Sequence, residues 1–300
     1  GVVQGFLRSG YIRDHGDRKT DILGRPVPRD RSYFAWQHRQ RAGESFTLDG
    51  EFNYWSDSEV LRDFRHKDFD RVQQPDSFLE AAYTKNNWSL SAFGRAHPNQ
   101  YHRVQERLPE LRFDLLPVVL PGGFAERASA SAAVLEADAF GLDPEVRTQR
   151  LDAYYGLSRP LSPAPWFTFI PVAGARVTHY TDARGGKNDY TRTLGEVGFD
   201  ARLLASGTFD YKNAVWEIDG LRHLVEPRLS YRYAPEAERG RAYIPAVDRR
   251  AFSTYLAPLS LGDARFLDEL GPLNTLRLSL GNTLQTRDPA YGSRNLASLN

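Results

Sequence analysis

SFTLDGEFNYW, residues 45–55, sets Phe46, Leu48, Gly50, Phe52 and Tyr54 against Thr47, Asp49, Glu51 and Asn53. Successive side chains of a strand point to opposite sides of the pleat, so this alternation predicts a strand whose two faces meet different surroundings. The pattern recurs along the chain. NTLRLSLGNTLQTRD (274–288) opposes Leu276, Leu278, Leu280 and Leu284 to Thr275, Arg277, Ser279, Thr283 and Gln285. NWSLSAFGRAH (87–97) alternates Trp88, Leu90 and Ala92 with Ser89, Ser91 and Arg95. HLVEPRLSYRY (223–233) sets Pro227, Leu229, Tyr231 and Tyr233 against Glu226, Arg228, Ser230 and Arg232. In ASASAAVLEADAF (128–140) the Ala, Leu and Glu content favours helix, but small residues on one parity also fit a strand, and a strand is expected.

The connections come in two alternating kinds. RAGES, TKNNW, LLPVVLPGG and LSRPLSPAPW are rich in Gly, Pro or Asn and read as tight turns. IRDHGDRKTDILGRPVPRDR, SDSEVLRDFRHKDFDRVQQPDS, HPNQYHRVQE, THYTDARGGKNDY and residues 234–272 are longer and charged, and read as solvated loops. The expected fold is all-β, an antiparallel up-and-down meander of about 12 strands with short turns on one rim and long loops on the other. That asymmetry is the one found in outer-membrane barrels. Strand length agrees, since the better runs reach the roughly 9–11 residues of a tilted membrane strand rather than the about 5–6 of a sandwich strand. Aromatics near strand ends, including Tyr33, Trp36, Tyr54, Trp55, Trp88, Trp166 and Tyr233, fit interfacial girdles.

Composition narrows the function. With 41% apolar residues the chain packs a fold, and 39 basic against 38 acidic residues leave no field to gather nucleic acid. No window approaches 18 apolar residues, which excludes membrane helices but not a barrel. Cys and Met are absent and GVVQGFLRSGY already reads as mid-strand, so an internal fragment is expected. The seven histidines show no HxH or HExxH spacing. His97 and His102 flank one loop but are expected to be solvated, and no metal or cofactor is expected. RHKDFD (65–70) lacks the glycine and terminal glutamate of a calcium loop and reads as surface. Asp49 and Glu51 are two apart on one parity, a pattern that suits a hydrated wall better than a glycosidase pair. No GxSxG, P-loop or GxGxxG follows a strand, and no catalytic residue is expected.

Several segments together resemble the LptD family of outer-membrane proteins that insert lipopolysaccharide. HLVEPRLSYRYAP resembles its LEPR strand. YFAWQHRQRAGESFTLDGEFNYWSDSEVLRDF is similar to its WQH strand, tight turn, next strand and loop. AAYTKNNWSLSAFGR, ERLPELRF and LRLSLGNTL follow in the family's order, so the resemblance covers residues 33–287. It implies residues 1–300 to be the middle of one large barrel, without the periplasmic jelly-roll, the barrel-closing strands or the family's disulfide-forming cysteines. The implied partners are an LptE-like plug lipoprotein, lipopolysaccharide, the periplasmic transport bridge and outer-membrane lipids, in a Gram-negative bacterium.

If the apolar parity faces lipid, the other lines a wet lumen. Asp49, Glu51, Arg95, Arg222, Glu226, Arg228, Arg232 and Arg277 are then the lumen-facing residues, since Arg facing lipid at mid-depth costs about 2–4 kcal/mol. Pro227 removes a ladder donor, which predicts a bulge or weak pairing, unless its missing N–H falls at a position that makes no ladder bond. Two rivals remain: a porin, which would need no plug, and a soluble β-rich carbohydrate-binding protein, which would cover its apolar face with a second sheet.

Overall fold

The computed structural model describes residues 1–22, 24–99, 101–102, 104–138, 145–238, 241–248 and 254–299. It contains the strands β1 (Val2–Arg13), β2 (Asp30–Ala42), β3 (Phe46–Trp55), β4 (Phe78–Lys85), β5 (Trp88–Arg95), β6 (Gln105–Val119), β7 (Ala125–Ala137) and β8 (Val146–Ser158). They are followed by β9 (Leu161–Ala164), β10 (Phe167–Thr181), β11 (Asp189–Leu203), β12 (Ala205–Asn213), β13 (Ile218–Ala234), β14 (Leu273–Asp288) and β15 (Gly292–Leu299). All fifteen form one antiparallel sheet in chain order. Because β8 and β9 both pair with β10, and β11 and β12 both pair with β13, these are two interrupted passes, which leaves thirteen among the described residues against the dozen expected. β1 and β15 are the edges and do not pair with each other.

Short turns and long connections alternate as the sequence predicts, so all long connections leave from one rim. Two expected turns are shorter than their sequences suggest. In LLPVVLPGG the strand continues to Val119, and LSRPLSPAPW contains β9. Ala128–Ala137 is strand, and residues 139–140 of that segment lie outside the described residues. Two of the expected solvated loops are more structured than predicted. Residues 56–77 hold helices α1 (Val60–Phe64) and α2 (His66–Phe69). The connection after β13 carries a 3-10 turn at Leu261–Asp263 and buries Ile244, Val247, Leu261 and Leu267.

Burial is inverted relative to a water-soluble sheet. Leu276, Leu278 and Leu280 on β14 are exposed, Leu278 by 75%, and so are Leu151, Tyr155, Val177 and Val197. The largest buried side chains of the wall are charged: Arg150, Arg176 and Arg192 are each no more than 2% exposed. The apolar core is three small clusters, each on the charged parity where a long connection folds back. Val247 packs with Ala133 and Leu135, Leu261 with Tyr154 and Leu194, and Val60 and Leu61 with Trp55. Since each buried Leu or Val contributes about 1.5–3 kcal/mol, these contacts hold the connections to the wall.

Candidate functional site

Cross-strand partners share a face, so the register fixes which residues line the covered side. Arg150 stands opposite Tyr180 and Ala133, Thr178 opposite Arg192, and Gly198 opposite Arg232. The described parts of the connection after β13, residues 241–248 and 254–272, lie across this face.

The contacts are charge-assisted and come from strands far apart in sequence. Arg150 Nη1 donates to Asp268 Oδ1 at 2.9 Å and also to Asp248. The other Asp268 oxygen accepts the Val247 and Asp248 N–H groups at 2.9 and 2.8 Å, and Tyr180 donates to Oδ1 at 3.0 Å. Asp248 also accepts from Arg107 Nη2 at 2.9 Å. Deeper in, Glu196 accepts from Tyr154 at 2.6 Å, Ser260 at 2.8 Å and the Leu261 N–H at 2.8 Å. Ser260 accepts in turn from Arg127 on β7. Glu196 is seven residues into β11, about 23 Å along a strand, so the connection reaches well below the rim. Three arginines hold carbonyls of the connection: Arg176, which also pairs with Asp152 at 3.3 Å, donates to Leu261 O at 2.6 Å, Arg192 to Leu267 O at 2.6 Å, and Arg277 to Ala257 O at 2.7 Å.

The register puts the eight residues singled out from sequence on this same face, but they do not form one cluster. Asp49 accepts from Arg39 at 2.7 Å across β2 and β3, and Glu51 from Asn53 at 2.7 Å. Arg95 pairs with Asp76 at 2.8 Å. Arg222 lies opposite Thr208 and Gln285. Arg232 forks onto Asp200 at 2.7 and 3.2 Å. Only Glu226 and Arg228 meet, with Arg202, which donates to Glu226 at 2.5 Å. Beside them, Pro227 pairs in unbroken register with β14, whereas the ladder toward β11 and β12 stops between Arg202–Arg228 and Ala205–Val225. Two residues lie on each side of that gap, so it contains no bulge. The Leu204 N–H turns to Trp166 O at 2.8 Å, so by alternation the groups of Leu203 face Pro227, which has no N–H to give.

Alternation alone does not single out Arg127, Arg150, Arg176, Arg192 and Glu196, which also line this face. The available signal was the run THYTDARGGKNDYTRTLGE, where charges continue from loop into strand.

A second group closes the rim at β2. Arg31, fully buried, forks onto Asp57 at 2.7 and 3.0 Å and reaches Asp14 and Asp63 at 2.8 Å each. The Gly16 N–H, and after it Arg31, holds the Asp14 carboxyl below its ordinary value. In the neighbouring connection burial pushes the His102 imidazole down.

The family model for LptD, LPS transport system D, matches residues 29–260. The chain belongs to the LptD family. LptD proteins transport and assemble lipopolysaccharide in the outer membrane of Gram-negative bacteria, together with other Lpt components, and are transport proteins rather than enzymes. No match is found among curated proteins. Among the described residues no helix is long and apolar enough to cross a membrane.

Proposed function

We propose that residues 1–300 are part of one LptD barrel domain, and that the face beneath the 241–272 connection is the wall of its hydrated interior. The observation that carries this reading is the inverted burial: Leu276, Leu278 and Leu280 point out, while Arg150, Arg176 and Arg192 are covered. An arginine on the lipid face at mid-depth would cost about 2–4 kcal/mol, so the charged parity belongs inside.

On this reading Asp49, Glu51, Arg95, Arg222, Glu226, Arg228, Arg232 and Arg277 face the interior. They solvate the saccharide of lipopolysaccharide and dock a plug lipoprotein of the LptE type, with Arg gripping phosphate or carboxylate through two N–H bonds. The acyl chains enter the bilayer sideways where the barrel closes, and a periplasmic bridge delivers the substrate through the jelly-roll domain. No covalent bond changes. The single sheet, with its apolar parity left open among the described residues, favours this over a soluble carbohydrate-binding protein.

Photo-crosslinking in cells making the full-length protein tests the reading. A benzophenone amino acid at Arg228 or Arg232 is expected to capture lipopolysaccharide or the plug lipoprotein, and one at Leu278 to capture neither. Purification as a lone, ion-conducting trimer without a lipoprotein would contradict it and favour a porin.

A further inference from the structure

His97 and His102 sit in the connection between β5 and β6. The sequence predicts solvated rings, yet the His97 side chain is only 5% exposed, and the two rings meet edge to face with centres 5.3 Å apart. Each ring spends one nitrogen on a group that only accepts. His97 Nδ1 lies 3.2 Å from Asp138 Oδ2, and His102 Nε2 lies 3.1 Å from the Pro75 carbonyl. Both imidazoles therefore carry their proton on that side. His97 Nε2 and His102 Nδ1 are left as lone pairs, and both are buried without a hydrogen-bond partner.

An unpaired buried acceptor costs about 1–3 kcal/mol, and here two occur in touching rings. An imidazole that donates one N–H to a carboxylate or carbonyl and keeps its other nitrogen free is oriented as metal-ligating histidines are. The spacing agrees as well. With a metal about 2.1 Å from each nitrogen, ring centres about 1.2 Å further back and a near-tetrahedral angle, the two centres stand about 5.4 Å apart.

We propose that His97 and His102 form a two-histidine site for a transition-metal ion such as Zn²⁺. Imidazole donors favour zinc, copper and nickel over magnesium and calcium. Among the described residues no group of three His, Cys, Asp or Glu side chains is placed to hold a metal ion, so water fills the remaining positions and the ion exchanges readily. Through Asp138 at the end of β7 and Pro75 before β4, the ion braces three connections of the long-connection rim against one another.

The test uses full-length protein in detergent, without a polyhistidine tag, stripped with chelator. It is titrated with Zn²⁺ by calorimetry and with Co²⁺ by visible absorption. The expected result is one Zn²⁺ taken up per chain that is lost in His97→Gln and in His102→Gln, with the ligand-field bands of cobalt lost in parallel. Asp138→Asn, which leaves both ligands in place, is expected to weaken uptake about tenfold. No stoichiometric uptake by the unaltered protein would overturn the proposal, and so would uptake undiminished in both histidine variants.

Discussion

At Pro227 a missing donor and a nearby charge cluster answer each other. The ladder toward β11 and β12 lapses where Pro227 faces Leu203, and the adjacent Glu226 takes up Arg202 from the opposite strand and Arg228 from its own. The side-chain staple thus stands where the backbone bonds are interrupted. Both arginines are more than half exposed, so Glu226→Gln is expected to cost only about 1 kcal/mol in thermal unfolding of the full-length protein. Pro227→Ala restores a donor, and the cost of Glu226→Gln should shrink in that background; an unchanged cost would mean staple and gap are independent. Arg31 differs because it is fully buried among three carboxylates. Arg31→Ala leaves those charges facing one another, with an expected loss of about 3–5 kcal/mol and increased proteolysis of the rim. Acid acts on the same cluster. The folded Asp14 carboxyl titrates below its ordinary 3.8, so the unfolded chain takes up the proton first. Its stabilisation is present above pH 3.8 and is lost as pH falls through the lower folded value, which hydrogen exchange of residues 14–29 would register as faster exchange.

Among the elements, strands and connections differ in how far their roles can be read from sequence. Alternation is local, so the wet parity of β3, β13 and β14 is visible in the residues themselves. The work of the 241–272 connection is not local: Asp268 meets Arg150 from 118 residues away. Among its other anchors are the carbonyls of Ala257, Leu261 and Leu267, which every residue type offers. Composition there suggests a solvated loop because it records charges and not their partners. The helices α1 and α2 were hidden similarly, as Val60 and Leu61 are the only buried apolar residues in a charged run. Asp268 is the pivot of the upper contact, accepting two backbone N–H groups besides Arg150 and Tyr180. Asp268→Asn should loosen the connection without unfolding the sheet. The expected outcome is protease cleavage within 241–272 in intact cells, together with unaltered heat-modifiable mobility of the barrel.

For the whole molecule, the arrangement puts in one sheet what a soluble protein avoids: apolar rows in the open and arginines under cover. The structure leaves the outer edges of β1 and β15 open, and an open edge is not tolerated in lipid, where each unsatisfied backbone group costs several kcal/mol. In the proposed reading further strands of the barrel therefore flank both edges. The central claim is that parity on these strands separates lipid from water. Single spin labels at positions 276 to 280 of the full-length protein in a bilayer, read by collision with oxygen and with a water-soluble nickel reagent, test it most directly. The account predicts strict alternation, with Leu276, Leu278 and Leu280 sites favouring oxygen and Arg277 and Ser279 sites favouring nickel. Equal access to the nickel reagent at all five positions would contradict it.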